Sequence, residues 1–120
     1  MDSLYFLSAA RSAVGLIRNG NEDGALTHPH LIAVADGMGG HAGGEIASAI
    51  ALKILAHRAT VFTDVEMDKD SADDYFNSTI DEIDNALKVA SDDDPTLSGL
   101  GTTLTTLFIR DNQAVLLHVG

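Results

Sequence analysis

The sequence contains no cysteine, so disulfides and zinc-thiolate sites are excluded, and a reducing cytoplasmic compartment is compatible with the chain. Basic residues are scarce as well: seven Lys and Arg stand against eighteen Asp and Glu, a formal net charge of -11. Nucleic-acid binding depends on Lys and Arg at the phosphates, so no nucleic-acid partner is expected. Long apolar runs are also missing. Met1-Asp2-Ser3-Leu4-Tyr5-Phe6-Leu7 lacks the basic start and long apolar stretch of a signal peptide, and no segment approaches the length of a membrane span. A soluble, cytoplasmic chain is expected. Its 120 residues suffice for one small domain with a modest core.

What is present begins with alternation and breakers. Leu4 to Leu16 mixes apolar and polar residues around small ones and reads as one or two strands, broken at Asn19-Gly20-Asn21. Leu31 to Ala35 is the next strand, stopping at Asp36. Gly44 to Ala59 is helical, because Ile46, Ala47, Ile50, Ala51, Ile54 and Leu55 fall on one face. Thr60 to Ala72 is an acidic, irregular connection, and Ser71 with Asp74 three residues on resembles a capping box that starts a second helix. Phe76, Ile80, Ile83, Leu87 and Ala90 give that helix an apolar stripe that belongs to the core, and Asp92-Asp93-Asp94-Pro95 ends it. Gly101 to Ile109 and Ala114 to Val119 flank Arg110-Asp111-Asn112-Gln113 as a β-hairpin. Strands, two helices, then strands predict an α+β domain with helices packed on an antiparallel sheet, in preference to a doubly wound parallel one.

The most informative stretch is Leu31-Ile-Ala-Val-Ala-Asp36-Gly37-Met38-Gly39-Gly40-His41, a buried strand that delivers a carboxylate into a glycine-rich turn. Asn21-Glu22-Asp23 lies upstream, with Arg18 before it. Asp36, the Gly37 carbonyl and Glu22 or Asp23 offer hard oxygen ligands suited to Mg2+ or Mn2+ if the first sheet folds back. Two such ions could hold a water of lowered pKa, and Arg18 could clamp a phosphate. Against this stands a plainer reading, in which Glu22 and Asp23 are solvated turn residues and Asp36 caps the next segment. Spacing alone does not choose between them. Gly37-Met-Gly39-Gly-His-Ala42 also matches the dinucleotide pattern G-x-G-x-x-A, but Asp36 would then lie beside a pyrophosphate, and no clear second strand carries the ribose-binding acid, Asp64 being the best available. The phosphate-loop signature ending in Gly-Lys-Ser/Thr is absent.

Three ordered motifs carry a resemblance: Gly15-Leu-Ile-Arg18-Asn-Gly-Asn21-Glu22-Asp23, then Val34-Ala-Asp36-Gly37-Met-Gly39-Gly40-His-Ala-Gly-Gly44-Glu45, then Gly101-Thr102-Thr103-Leu104. From about Ala13 to Gly120 the chain resembles the N-terminal half of a bacterial PPM (type 2C) metal-dependent Ser/Thr protein phosphatase. The resemblance implies an α-β-β-α sandwich, antiparallel sheets flanked by helices. It implies a centre of two or more Mn2+ or Mg2+ ions that hydrolyses phosphoserine and phosphothreonine through a metal-bridging water. By position, Asp36 would bridge both metals, the Gly37 carbonyl and Glu22 would be ligands, Asp23 would hold metal-bound waters, and Arg18 would grip the substrate phosphate. Gly39 and Gly40 would shape the turn. The implied partners are phosphoproteins, substrates of Ser/Thr kinases.

The chain departs from the family pattern in places. Ala13 stands where the family often has Asp, which leaves the ligand positions untouched. Met38 stands where many eukaryotic members carry a histidine proposed as general acid, so the leaving-group acid is unassigned. His41 is close by, and a local packing or hydrogen-bonding role suits it better than a catalytic one. His118 alternates with Leu117 and Val119 and reads as structural. In the family the strand matching Leu116 to Gly120 runs into Asp-Ser-Arg, and further aspartates complete the metal centre. The expectation is that residues 1-120 are the N-terminal portion of a single PPM-type domain, an incomplete site with little or no activity by itself. The alternative is a noncatalytic pseudophosphatase or partner-binding module. Half a sandwich would also leave apolar strand faces uncovered.

Overall fold

A computed structural model describes residues 4–10, 23–39, 42–64, 68–110 and 112–120. Among these, five strands form one antiparallel sheet: β1 (Asp23–His28), β2 (Leu31–Met38), β3 (Gly101–Thr102), β4 (Leu104–Arg110) and β5 (Gln113–Val119). They lie in the order β1-β2-β4-β5, with β3 paired to the end of β2. Helices α1 (Gly43–Phe62) and α2 (Lys69–Asp93) connect β2 to β3. The α+β reading and the antiparallel sheet are borne out.

Alternation along β2 decides where the core sits. Leu31, Ala33, Ala35 and Gly37 are buried, while Val34, Asp36 and Met38 are exposed. The buried side chains meet Ala47, Ala51, Leu55 and Ala59 of α1, so small residues face small residues and the helix lies close on the sheet. Phe62 closes the far end of this layer: its ring sits 5.0 Å from Tyr75, 6.2 Å from Phe76 and 5.6 Å from Phe108, joining α1, α2 and β4. Phe76, Ile83 and Leu87 of the predicted stripe are buried in the same cluster. Arg58 adds a polar clasp between the helices, paired with Glu82, donating to Thr79 Oγ1 (3.2 Å) and lying 5.0 Å above the Tyr75 ring.

Several boundaries differ from the sequence reading. β2 does not stop at Asp36 but runs on to Met38, because β3 continues the pairing past it through Gly37↔Thr102 and Met38↔Gly101. α1 extends beyond Ala59 to bury Phe62. The irregular stretch expected over 60–72 is therefore shorter: α2 begins at Lys69, capped by the Asp68 carboxylate, which accepts the Ser71 N–H at 2.7 Å. Ser71 is thus a recipient of the cap and not the cap. Asp94 ends α2 before Pro95, as predicted. Of the strands expected over 4–16, residues 4–10 have no regular structure and touch the sheet region through Phe6 N–H donating to the Pro29 carbonyl (2.6 Å); residues 11–16 lie outside the described set. β4 and β5 form the predicted hairpin, with Asn112 at φ 61° in the turn.

Candidate metal centre

Strand pairing brings two of the predicted carboxylates face to face. Asp23 opens β1 directly opposite Asp36 in β2. Residues opposite each other in an antiparallel pair project from the same face, with Cβ atoms about 4.5–5.5 Å apart. Both residues are exposed, on the side of the sheet away from α1. Like charges so placed repel, a cost that a bound cation reverses.

The ladder also orients a third oxygen. The Asp36 carbonyl accepts the Thr103 N–H at 2.9 Å and so points toward the β3–β4 side. Successive carbonyls alternate, which turns the Gly37 carbonyl to the opposite edge, toward β1, whose first residue pairs with Asp36. Two carboxylates and one carbonyl at one end of the sheet make a hard-oxygen donor set that fits Mn2+ or Mg2+ and is ill suited to soft metals.

The glycines build the wall behind it. A Cβ on Gly37 would lie 1.8 Å from the Gly44 carbonyl oxygen, so only glycine lets β2 meet the first turn of α1. The positive end of the helix dipole consequently sits one residue past Asp36. Gly39, at φ +152°, takes a conformation that side chains disfavour and packs against Gly43 and Leu100.

Other predicted positions fall as follows. Arg18, Glu22, Gly40 and His41 lie outside the described residues. Among the described residues no group of three or more His, Asp and Glu side chains converges, so Asp23 and Asp36 stand as a pair. Met38 is exposed on the Asp36 face. His118 shares that face, two strands away on β5, and its Nδ1 lies 2.7 Å from Thr105 Oγ1. Sequence reasoning missed the part played by Thr103: its Oγ1 accepts the Asp36 N–H at 3.1 Å. The signal was the Thr102-Thr103 pair in the third motif, but its meaning depends on a strand register that the sequence does not display.

The antiparallel sheet with its two helices superposes on solved bacterial serine/threonine phosphatases, with a TM-score of 0.75 against the Mycobacterium tuberculosis enzyme PstP at 38% identity. The protein phosphatase 2C family model matches residues 22–120, and the chain belongs to that family. It is 37% identical, over 98% of its length, to serine/threonine protein phosphatase PstP of Mycobacterium tuberculosis, covering 22% of that protein. It is 31% identical, over 92% of its length, to serine/threonine phosphatase stp of Listeria monocytogenes, covering 45% of that one. A crystal structure of the PstP catalytic domain in complex with two manganese ions superposes with a TM-score of 0.76 at 37% identity, over 93% of this chain and 46% of the other. The chain thus spans about half the length of its solved relatives. Among the described residues, no helix is long and apolar enough to cross a membrane.

Proposed function

We propose that this chain supplies one side of a divalent-cation centre that hydrolyses phosphoserine and phosphothreonine in proteins. The observation that carries the reading is the register Asp23↔Asp36, which sets two carboxylates opposite each other on the open face beside the Gly37 carbonyl. Asp36, Asp23 and Gly37 would hold Mn2+ or Mg2+, joined by Glu22 on the strength of the family resemblance. Bound ions of this kind lower the pKa of a water between them and neutralise charge on phosphoryl oxygens. The chain's own contribution is to fix the donor set: β1 and β2 hold the carboxylates, and the Gly37–Gly44 junction holds the end of β2 against α1. Arg18, by resemblance, would bind the substrate phosphate in bidentate fashion.

Residues 1–120 are read as the N-terminal portion of a single domain, in keeping with the half-length match to solved relatives. The substrates would be phosphoproteins made by Ser/Thr kinases, and the net charge of -11 speaks against a nucleic-acid partner. Calorimetric titration of the protein with Mn2+, beside Asp36→Ala, tests the reading. Binding that is lost in the variant supports it; equal binding by both overturns it. Hydrolysis of a small aryl phosphate, read in parallel, is expected to be slight or absent for one side of a centre. Robust turnover that depends on Asp36 would show instead that these residues assemble a working site unaided.

A further inference from the structure

Thr103 stands where the sheet departs from its own pattern. Pairs on both sides keep one register, Gly37↔Thr102 and Val34↔Thr105, which sets Thr103 opposite Asp36. A regular antiparallel pair at this position would exchange two main-chain hydrogen bonds. One is made, from the Thr103 N–H to the Asp36 carbonyl (2.9 Å). The other is not: the Asp36 N–H donates to the Thr103 hydroxyl oxygen (3.1 Å) in place of the carbonyl. That carbonyl is engaged elsewhere, accepting the Thr102 hydroxyl at 2.8 Å. The strand is accordingly interrupted at this residue, between β3 and β4.

In the rotamer that allows this, the methyl is turned the other way, toward Gly120 just past β5. The Thr103 methyl carbon lies 3.3 Å from where a Cβ on Gly120 would be, so the methyl faces β5 across a glycine while the hydroxyl faces β2. A side chain thus takes over a main-chain task opposite one residue, the one whose carboxylate faces Asp23.

We propose that Thr103 is a positioning residue for the Asp36 carboxylate: its hydroxyl anchors the Asp36 backbone and so sets the affinity of the Asp23–Asp36 end for a divalent cation. The proposal rests on the reading of that end as a cation site. Removing the hydroxyl leaves a backbone N–H without its acceptor and lets the Asp36 backbone shift; losses of outer-shell partners of this kind cost about 10–100-fold in metal affinity.

The test is calorimetric Mn2+ titration of the protein, Thr103→Val, Thr103→Ala and Thr103→Ser, with metal-free melting curves for each and Asp36→Ala as reference. Val keeps the branched shape, Ala removes hydroxyl and methyl, and Ser keeps the hydroxyl alone. The expected result is Mn2+ affinity reduced about tenfold in Val and Ala and within about twofold of the parent in Ser. Should Val fail to fold, the comparison of Ala with Ser decides. Parent-like affinity in Val or Ala, even with a lowered melting temperature, would reduce Thr103 to a purely structural role and overturn the proposal. Equal loss in Ser and Ala would overturn it too, since the methyl would then be the part that matters. If Asp36→Ala binds Mn2+ as the parent does, the cation-site reading itself fails, and this inference with it.

Discussion

The two faces of the sheet share strands but not surroundings. On the side toward α1, Leu31, Ala33, Ala35, Leu104 and Phe108 are 0–4% exposed; on the other, Val34 and Leu116 are 57% and 65% exposed. Ordinary half-buried strands place polar residues on the open side. Here that side carries Ala25, Ile32, Val34, Leu107 and Leu116, with a cavity of about 430 Å³ beneath residues 8–10. Thr27 apart, the polar residues of this face lie toward one end, where Asp23, Asp36, Thr103, Thr105 and His118 occupy neighbouring cross-strand rows. The helix-covered face holds the fold together, whereas the open face is largely apolar, with the proposed cation end at its margin. That division matches one half of the sandwich which the family resemblance implies.

The contrast breaks most sharply at the one residue that serves both sides. Gly37 →Ala would place a carbon 1.8 Å from the Gly44 carbonyl, a backbone atom that can yield only if α1 lifts from β2. The expected outcome is loss of a cooperative melting transition, beyond the 1–3 kcal/mol or so typical of overpacking. A melt like that of the parent would mean that the strand–helix junction is not what fixes the site.

A paired comparison sharpens the same division. Phe62 is fully buried among Tyr75, Phe76 and Phe108, and Phe62→Ala should destabilise by about 3–5 kcal/mol. Val34→Thr changes the open face and should cost no more than about 0.5 kcal/mol. Chemical denaturation of both variants reads the difference. Similar losses would show that the open face is packed in solution.

Periodicity made the helix-covered face legible. The stripe on α2 and the apolar face of α1 were visible at helical spacing, and the hairpin was visible from alternation around Asn112. One strand and three boundaries were not legible: β1 (Asp23–His28) lies where the sequence reading placed no strand, and each boundary moved for a tertiary reason. β2 outruns Asp36 because β3 extends its pairing, α1 outruns Ala59 because Phe62 finds a pocket between α2 and β4, and α2 starts early because Asp68 captures the Ser71 N–H. At the proposed site, residue types and the glycine turn suggested a hard-cation end, and the family resemblance supplied the positions that the proposal uses. What the sequence could not display was register. Nothing in the spacing of residues 23 and 36 says that they face each other, and Thr103 gains meaning only once it is seen opposite Asp36.

The smallest effect lies at the edge of the covered layer, where pH separates capping from packing. The Asp68 carboxyl is held below its ordinary value near 3.8, chiefly by the Ser71 N–H, then by the Ser71 hydroxyl, with Arg110 adding a weaker pull against some desolvation. A carboxyl lowered on folding stabilises the native state fully above its unfolded value, and that contribution fades as pH falls through the lowered folded value. Asp68→Ala should therefore melt at a lower temperature than the parent near neutral pH, with the gap closing only below about pH 4. Thermal melts of the pair across that range provide the check. A gap that persists into strong acid would mean that Asp68 acts through local backbone preference and not through its charge, leaving the start of α2 at Lys69 to be fixed by the packing of Ala72 and Phe76 against the core.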